Sequence, residues 1–128
     1  MIAVVDASST VAYLTGVGTP QESTAILEDG HAPALLDVET VQTLRGLLRG
    51  GKLRRPRADE AFADLQDLPL RRQPISPLLR RAWELRDRCS ACDALYVALA
   101  EALDAPLFTR DARLDRAAGD LVDIRLTP

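Results

Sequence analysis

The sequence predicts an α/β protein: a mainly parallel central β-sheet flanked by α-helices, an α/β/α sandwich. Three observations carry this. Short apolar runs, IAVV, APALL and PLFT, alternate with longer stretches of helical periodicity. Glycine and proline fall singly between those stretches, as turns do in a compact domain, and there is no internal repeat or low-complexity segment. A chain of 128 residues with 47% hydrophobic content can bury a real core, so residues 1–128 are expected to form one domain with no linker.

In chain order, IAVVD reads as a short buried strand and SSTVAYLTG as a helix ended by Gly16. PQESTAILEDG has proline at a first helical turn and is expected to stop at Gly30. APALL is a weak strand, followed by the helix VETVQTLRGLLRGG with Val38, Val41, Leu44 and Leu48 on its inner face. PRADEAFADLQDL is a further helix, with Ala61, Phe62 and Leu65 turned inward. LRRQPI is a peripheral strand because Pro74 cannot donate to a ladder. SPLLRRAWELRDR carries Leu78, Leu79, Ala82, Trp83 and Leu85 as its apolar set. CDALYVALAEALD is apolar almost all round, as a helix packed on more than one side must be. PLFT, a short helix from about Ala112, and VDIRL complete the pattern.

Composition narrows the function. Net charge is -3 and the isoelectric point about 5.1, which argues against a nonspecific nucleic-acid coat. There is no secretory leader pattern and no uncharged apolar run near the roughly 18 residues of a membrane span, so a soluble, cytoplasmic protein without membrane contact is expected. Basic charge is nevertheless concentrated locally: Arg45, Arg49, Lys52, Arg54, Arg55 and Arg57 follow one another with no acid between them. That segment is either a solvated helix end or a contact for a polyanion. Cys89 and Cys92 form C-x-x-C, but zinc needs about four ligands, and there is no second cysteine pair and only one histidine, His31. A redox motif would follow a strand, whereas an Arg-rich helical segment precedes this one, so two reduced, largely buried thiols are expected.

Four acids remain. Asp6 follows the first strand, Glu39 lies in the first turn of the helix after APALL, Asp93 in the first turn of the apolar helix, and Asp111 two residues after PLFT. Each has an ordinary role open to it: Asp6 and Asp111 as helix caps, Glu39 as a dipole partner, and Ser90 with Asp93 as a capping box. In a parallel sheet, however, the carboxyl ends of strands line the ligand crevice, and four acids at the ends of core elements can converge there. Without a counterion they would repel at a cost of up to several kcal/mol in a partly desolvated cleft. A divalent cation removes that cost, and carboxylate oxygens with retained waters are the ligands magnesium or manganese prefers. Such a site suits phosphodiester hydrolysis, because a hard cation acidifies and aligns water and stabilises charge on the leaving oxygen. Ser8 and Thr109 are placed to add hydroxyl ligands or supporting hydrogen bonds. The basic segment would engage flanking phosphates, with Arg45, Arg49, Lys52 and Arg54 as its candidates.

These residues give the sequence a resemblance to the PIN-domain ribonucleases, specifically the VapC-type toxins of type II toxin-antitoxin pairs. It spans nearly the whole chain and rests on VVDASS, on ETVQTLRGLLRGGKL from Glu39 to Leu53, on CDALYVALAEAL from Cys92 to Leu103 and on PLFTRDARL from Pro106 to Leu114. The resemblance implies a Mg2+- or Mn2+-dependent endoribonuclease whose acidic positions fall on Asp6, Glu39, Asp93 and Asp111 and whose T-x-D hydroxyl falls on Thr109. It also implies a homodimer and a cognate VapB-type antitoxin that wraps the toxin, forming a heterotetramer or hetero-octamer. Asp115, one turn past Asp111, is a peripheral contributor at most. Cys92 departs from the pattern, since relatives often carry an aromatic residue before the helix aspartate, and this bears on local packing.

Rival readings fit less well. A phosphoacceptor receiver domain needs an acidic pair after the first strand and a lysine after the last, and Lys52 is the only lysine. A haloacid-dehalogenase-like phosphatase needs a second aspartate two residues after the first, where Ser8 stands. No G-x-G-x-x-G follows the first strand. The alternative of a different class is a catalytically inactive PIN-like module that binds RNA or a protein partner.

Overall fold

The structure, a computed structural model, describes residues 1–128. Five strands, β1 (Ala3–Val5), β2 (Gly30–Pro33), β3 (Arg71–Gln73), β4 (Leu107–Thr109) and β5 (Ile124–Leu126), form one sheet in the order β3-β2-β1-β4-β5. Every pairing is parallel, with Val4 in register with His31 on one side and Leu107 on the other. The three inner strands are buried throughout and the two edge strands are partly exposed, as the placement of Pro74 just beyond β3 requires.

The helices are α1 (Ala7–Leu14), α2 (Pro20–Leu27), α3 (Leu35–Arg49), α4 (Arg55–Asp67), α5 (Leu79–Glu84), α6 (Ala91–Leu103) and α7 (Ala112–Ala118), with a 3-10 turn at Ser76–Leu78. From β1 the chain steps outward to β2 and β3, then crosses to the other side of β1 and continues to β4 and β5. Parallel crossovers are right-handed, so helices formed before and after that reversal cover opposite faces of the sheet. Accordingly α1 packs on α2 and α3 and α3 on α4, while α6 lies against β1, β2 and β4 with α5 outside it. Residues Ala94 to Ala100 of α6 are all buried, which the nearly continuous apolar sequence of that helix demands. The reversal falls between β1 and β4, and connections leaving their carboxyl ends in opposite senses open a crevice there.

Several expected details differ. The second strand is GHAP, not APALL: Leu35 and Leu36 already belong to α3. Gly30 opens this strand and does not end a helix, because a side chain there would meet Leu70 Cδ2 at 2.6 Å and the Ala25 carbonyl at 2.7 Å. The inner face of α3 is Leu36, Thr40 and Leu44; Val38 is 68% exposed, and Val41 and Leu48 also face outward. Phe62 is exposed on α4, and Leu79 and Trp83 are exposed on α5, where Arg86 stacks over the Trp83 ring at 4.6 Å. Helix α5 is short because the chain passes from Glu84 into turns before α6. The cysteines are free but less covered than expected, Cys89 half-buried and Cys92 exposed.

Candidate active site

Asp6 emerges from β1 as the N-cap of α1, and its carboxylate is nearly enclosed. Its Oδ1 accepts from the Ser8 hydroxyl at 2.6 Å and the Ser9 amide at 3.1 Å; Oδ2 accepts from the Thr109 hydroxyl at 2.5 Å. Thr109 ends β4, the neighbouring strand, so the contact joins two strand ends across the reversal point. The Thr109 Oγ1 in turn accepts from the Asp111 amide at 3.0 Å, and the Ser8 Oγ accepts from the Arg110 amide at 2.9 Å. Asp6, Ser8, Thr109 and the turn to Asp111 are thus one hydrogen-bonded unit.

Asp93 occupies the first turn of α6, where Ser90 caps its amide at 3.1 Å, but the reciprocal bond of a capping box is absent. Glu39 lies one turn deeper in α3 than expected, because α3 begins at Leu35 and its first-turn acid is Asp37. A helix-dipole role for Glu39 therefore loses its basis. The buried Tyr96 hydroxyl holds Glu39 instead, donating to its Oε1 at 2.6 Å. Tyr96 stands three residues after Asp93 on α6, hence on the same face, so α6 presents one acid and orients another. Sequence reasoning missed Tyr96; the i, i+3 spacing in D-A-L-Y was the available signal.

Electrostatics ties the group together. Burial pushes the Asp6 carboxyl up from its ordinary value despite the donors from Ser8, Thr109 and Ser9, and the charge of Asp93 adds to the rise. Burial also raises Asp93, with the charge of Asp111 adding to it, while Ser90 and Arg113 pull the other way. Burial and Glu39 raise the Tyr96 phenol, with Asp6 contributing, in keeping with its hydroxyl donating to Glu39. Asp6, Glu39 and Asp93 form no ion pair, unlike Asp29, Asp37, Glu101 and Asp120 elsewhere. Asp111 meets only the exposed Arg113, at 3.5 Å, and otherwise caps α7 through the Arg113 amide.

The donor set, carboxylate and hydroxyl oxygens with an unmet need for positive charge, suits a hard divalent cation. No three carboxylate, imidazole or thiol groups already stand at coordinating distance of one point. Asp6 is drawn to hydroxyls and Asp111 to the α7 terminus.

The basic candidates pair with none of these acids. Arg45 and Arg49 are on the outer part of α3, Lys52 in the following turn and Arg54 at the start of α4, all exposed and unpaired. Arg57 is held by the Leu14 carbonyl and is half-buried. Asp115 lies on α7, and its side chain makes no hydrogen bond to the group. Burial and the neighbouring acids push both cysteine thiols up, Cys89 beside Asp93 and Cys92 beside Glu39 and Asp93, which disfavours the thiolate that redox chemistry needs.

A fully parallel five-stranded sandwich with Asp6 and the Thr109–Asp111 turn joined at its reversal point places the molecule in a definite class. The PIN domain sequence model matches residues 3–120, and the chain belongs to the PIN domain family. Among its relatives is VapC ribonuclease Mb0985 of Mycobacterium bovis, 38% identical over 98% of both chains. In fold it is similar to PAE2754 from Pyrobaculum aerophilum, with a TM-score of 0.69 at 21% identity over 96% of this chain and 89% of that one. It is also similar in fold to VapBC-5, a member of the VapBC family of toxin-antitoxin systems from Mycobacterium tuberculosis, with a TM-score of 0.58 at 18% identity over 98% and 96% of the two chains.

Proposed function

We propose that this chain is the toxin of a VapBC-type pair, a Mg2+- or Mn2+-dependent endoribonuclease acting in the cytoplasm and neutralised by a cognate antitoxin. Its relatives of comparable length are named ribonucleases, and a fold neighbour is named a toxin-antitoxin member. The observation that carries the reading is the linked set Asp6, Thr109 and Asp111, joined by Asp93 and Glu39, three of whose carboxylates have no cationic partner. Asp6, Asp93 and Asp111 would hold the cation, with Glu39 beside them. When bound, the cation supplies Lewis acidity toward water and the phosphodiester. Ser8 and Thr109 fix the orientation of Asp6, and Tyr96 fixes that of Glu39. The exposed cations Arg45, Arg49, Lys52 and Arg54 engage phosphates of the RNA away from the scissile bond. The exposed Val38, Val41, Phe62, Leu79 and Trp83 are apolar surface that a homodimer and an antitoxin would cover, giving a heterotetramer or hetero-octamer.

The antitoxin-free protein is expected to cut RNA with magnesium or manganese and to stop in chelator. Asp6→Asn and Asp93→Asn should each lower the rate roughly 100-fold or more while leaving the circular dichroism spectrum unchanged. The competing reading, a module that binds RNA or a protein partner without cutting, draws on the carboxylates not being closed round one point. It predicts RNA binding with no cleavage in any divalent metal.

A further inference from the structure

One further ion pair, between buried Glu22 and partly exposed Arg110, adjoins the acids through the T-R-D turn and includes none of them. Glu22, on α2, has no exposed surface. Its Oε1 accepts from Arg110 Nη2 at 2.7 Å and its Oε2 from Arg110 Nε at 2.9 Å, a two-point contact between chain segments 88 residues apart. The same Oε1 accepts from the Thr19 amide at 2.9 Å, which fixes Glu22 to the start of α2 through a complete capping box. Arg110 Nη2 also donates to the Val17 carbonyl at 3.1 Å. Arg110 is the middle residue of T-R-D, between Thr109, which holds Asp6, and Asp111. Its amide donates to the Ser8 hydroxyl that in turn donates to Asp6. The side chain of Arg110 is therefore anchored on Glu22 and the Val17 carbonyl, while its own amide and the next one, of Asp111, hold Ser8 and Thr109, the two hydroxyls that donate to Asp6.

Resting on the nuclease reading above, we infer that Glu22 and Arg110 form a clamp that positions the T-R-D turn, and through it Thr109 and Asp111, for cation binding at Asp6. A partly buried pair of this kind is weak as a source of stability, since desolvation offsets the attraction, but its forked geometry is strongly directional. It holds the peptide groups of the turn in one orientation. Loosening it frees the Asp111 amide from Thr109 and the Arg110 amide from Ser8, and the Asp6 carboxylate loses its fixed rotamer.

The test uses Glu22→Gln, which keeps the capping acceptor but removes the charge, and Arg110→Lys, which keeps the charge but replaces the fork by one point contact. Should the first variant fail to fold, the second decides alone, since Glu22 keeps a cation beside it. Calorimetric titration with Mn2+ is expected to show affinity lower by about ten-fold or more in each folded variant. Amide hydrogen exchange is expected to quicken at Arg110 and Asp111 but not in α6. Folded variants that keep wild-type Mn2+ affinity overturn the clamp, even if exchange quickens, because the pair is then only structural. If the wild-type chain itself neither binds Mn2+ nor cuts RNA, the nuclease reading fails. The part of the clamp in cation binding then falls with that reading, and only its hold on the turn is judged by exchange, which unchanged protection at Arg110 and Asp111 overturns.

Discussion

Two buried carboxylates in one hydrogen-bonded neighbourhood, Glu22 and Asp6, are shifted in opposite directions. Burial opposes the charge on both. For Glu22 the hydrogen bonds from Arg110 and the Thr19 amide, with the Arg110 charge, outweigh burial and lower it from 4.5 to about 2. Asp6 receives only neutral donors, and its carboxyl ends above its ordinary value. The difference is a cation, present beside Glu22 and missing beside Asp6. The sign of the Glu22 contribution follows: a depressed carboxyl stabilises the fold fully above about pH 4.5, and that stability is lost as pH falls through about 2. The difference in urea unfolding between wild type and Glu22→Gln should be greatest near neutrality and shrink as pH falls below the ordinary glutamate value. A difference independent of pH would show that the charge of Glu22 does not matter to folding.

Helix α3 shows where periodicity misleads. Two stripes cross at Leu44: Val38, Val41, Leu44 and Leu48, and Leu36, Thr40 and Leu44. The first is richer in apolar residues, but the second is buried. Thr40 disguised it, since its buried hydroxyl has no partner and a polar residue lowers the apparent hydrophobicity of that face. Assigning Leu35 and Leu36 to a strand removed the other marker. Leu44→Ala should therefore cost about 2–5 kcal/mol, whereas Val38→Ser should stay within about 0.5 kcal/mol in the monomer. Urea unfolding at low protein concentration checks both, and the reverse order would return Val38 to the core. The outward stripe is left for a partner, as are Phe62 on α4 and Trp83 on α5.

At the scale of the molecule, topology does most to build the site. Strand order places the ends of β1 and β4 side by side where the connections reverse, and Asp6 and the T-R-D turn are what the sequence supplies there. That much is legible locally, because Asp6 and Asp111 each follow a short apolar strand and Asp93 opens a helix. What is not legible is pairing at a distance: Thr109 to Asp6 spans 103 residues, Tyr96 to Glu39 57, and Arg110 to Glu22 88. Glu22 is the capping-box residue of α2, and its second partner, Arg110, is set by the fold alone. The edge position of LRRQPI was readable from Pro74, and the all-round burial of α6 from its composition. The central claim is that Asp6, Glu39, Asp93 and Asp111 serve one hard-cation site, and anomalous scattering from crystals soaked in manganese tests it most directly. The account predicts a manganese peak about 2.1 Å from oxygens of Asp6 and Asp93, with Asp111 and Glu39 in the same cluster. Manganese bound elsewhere, or absent from that crevice in well-ordered crystals, would contradict it.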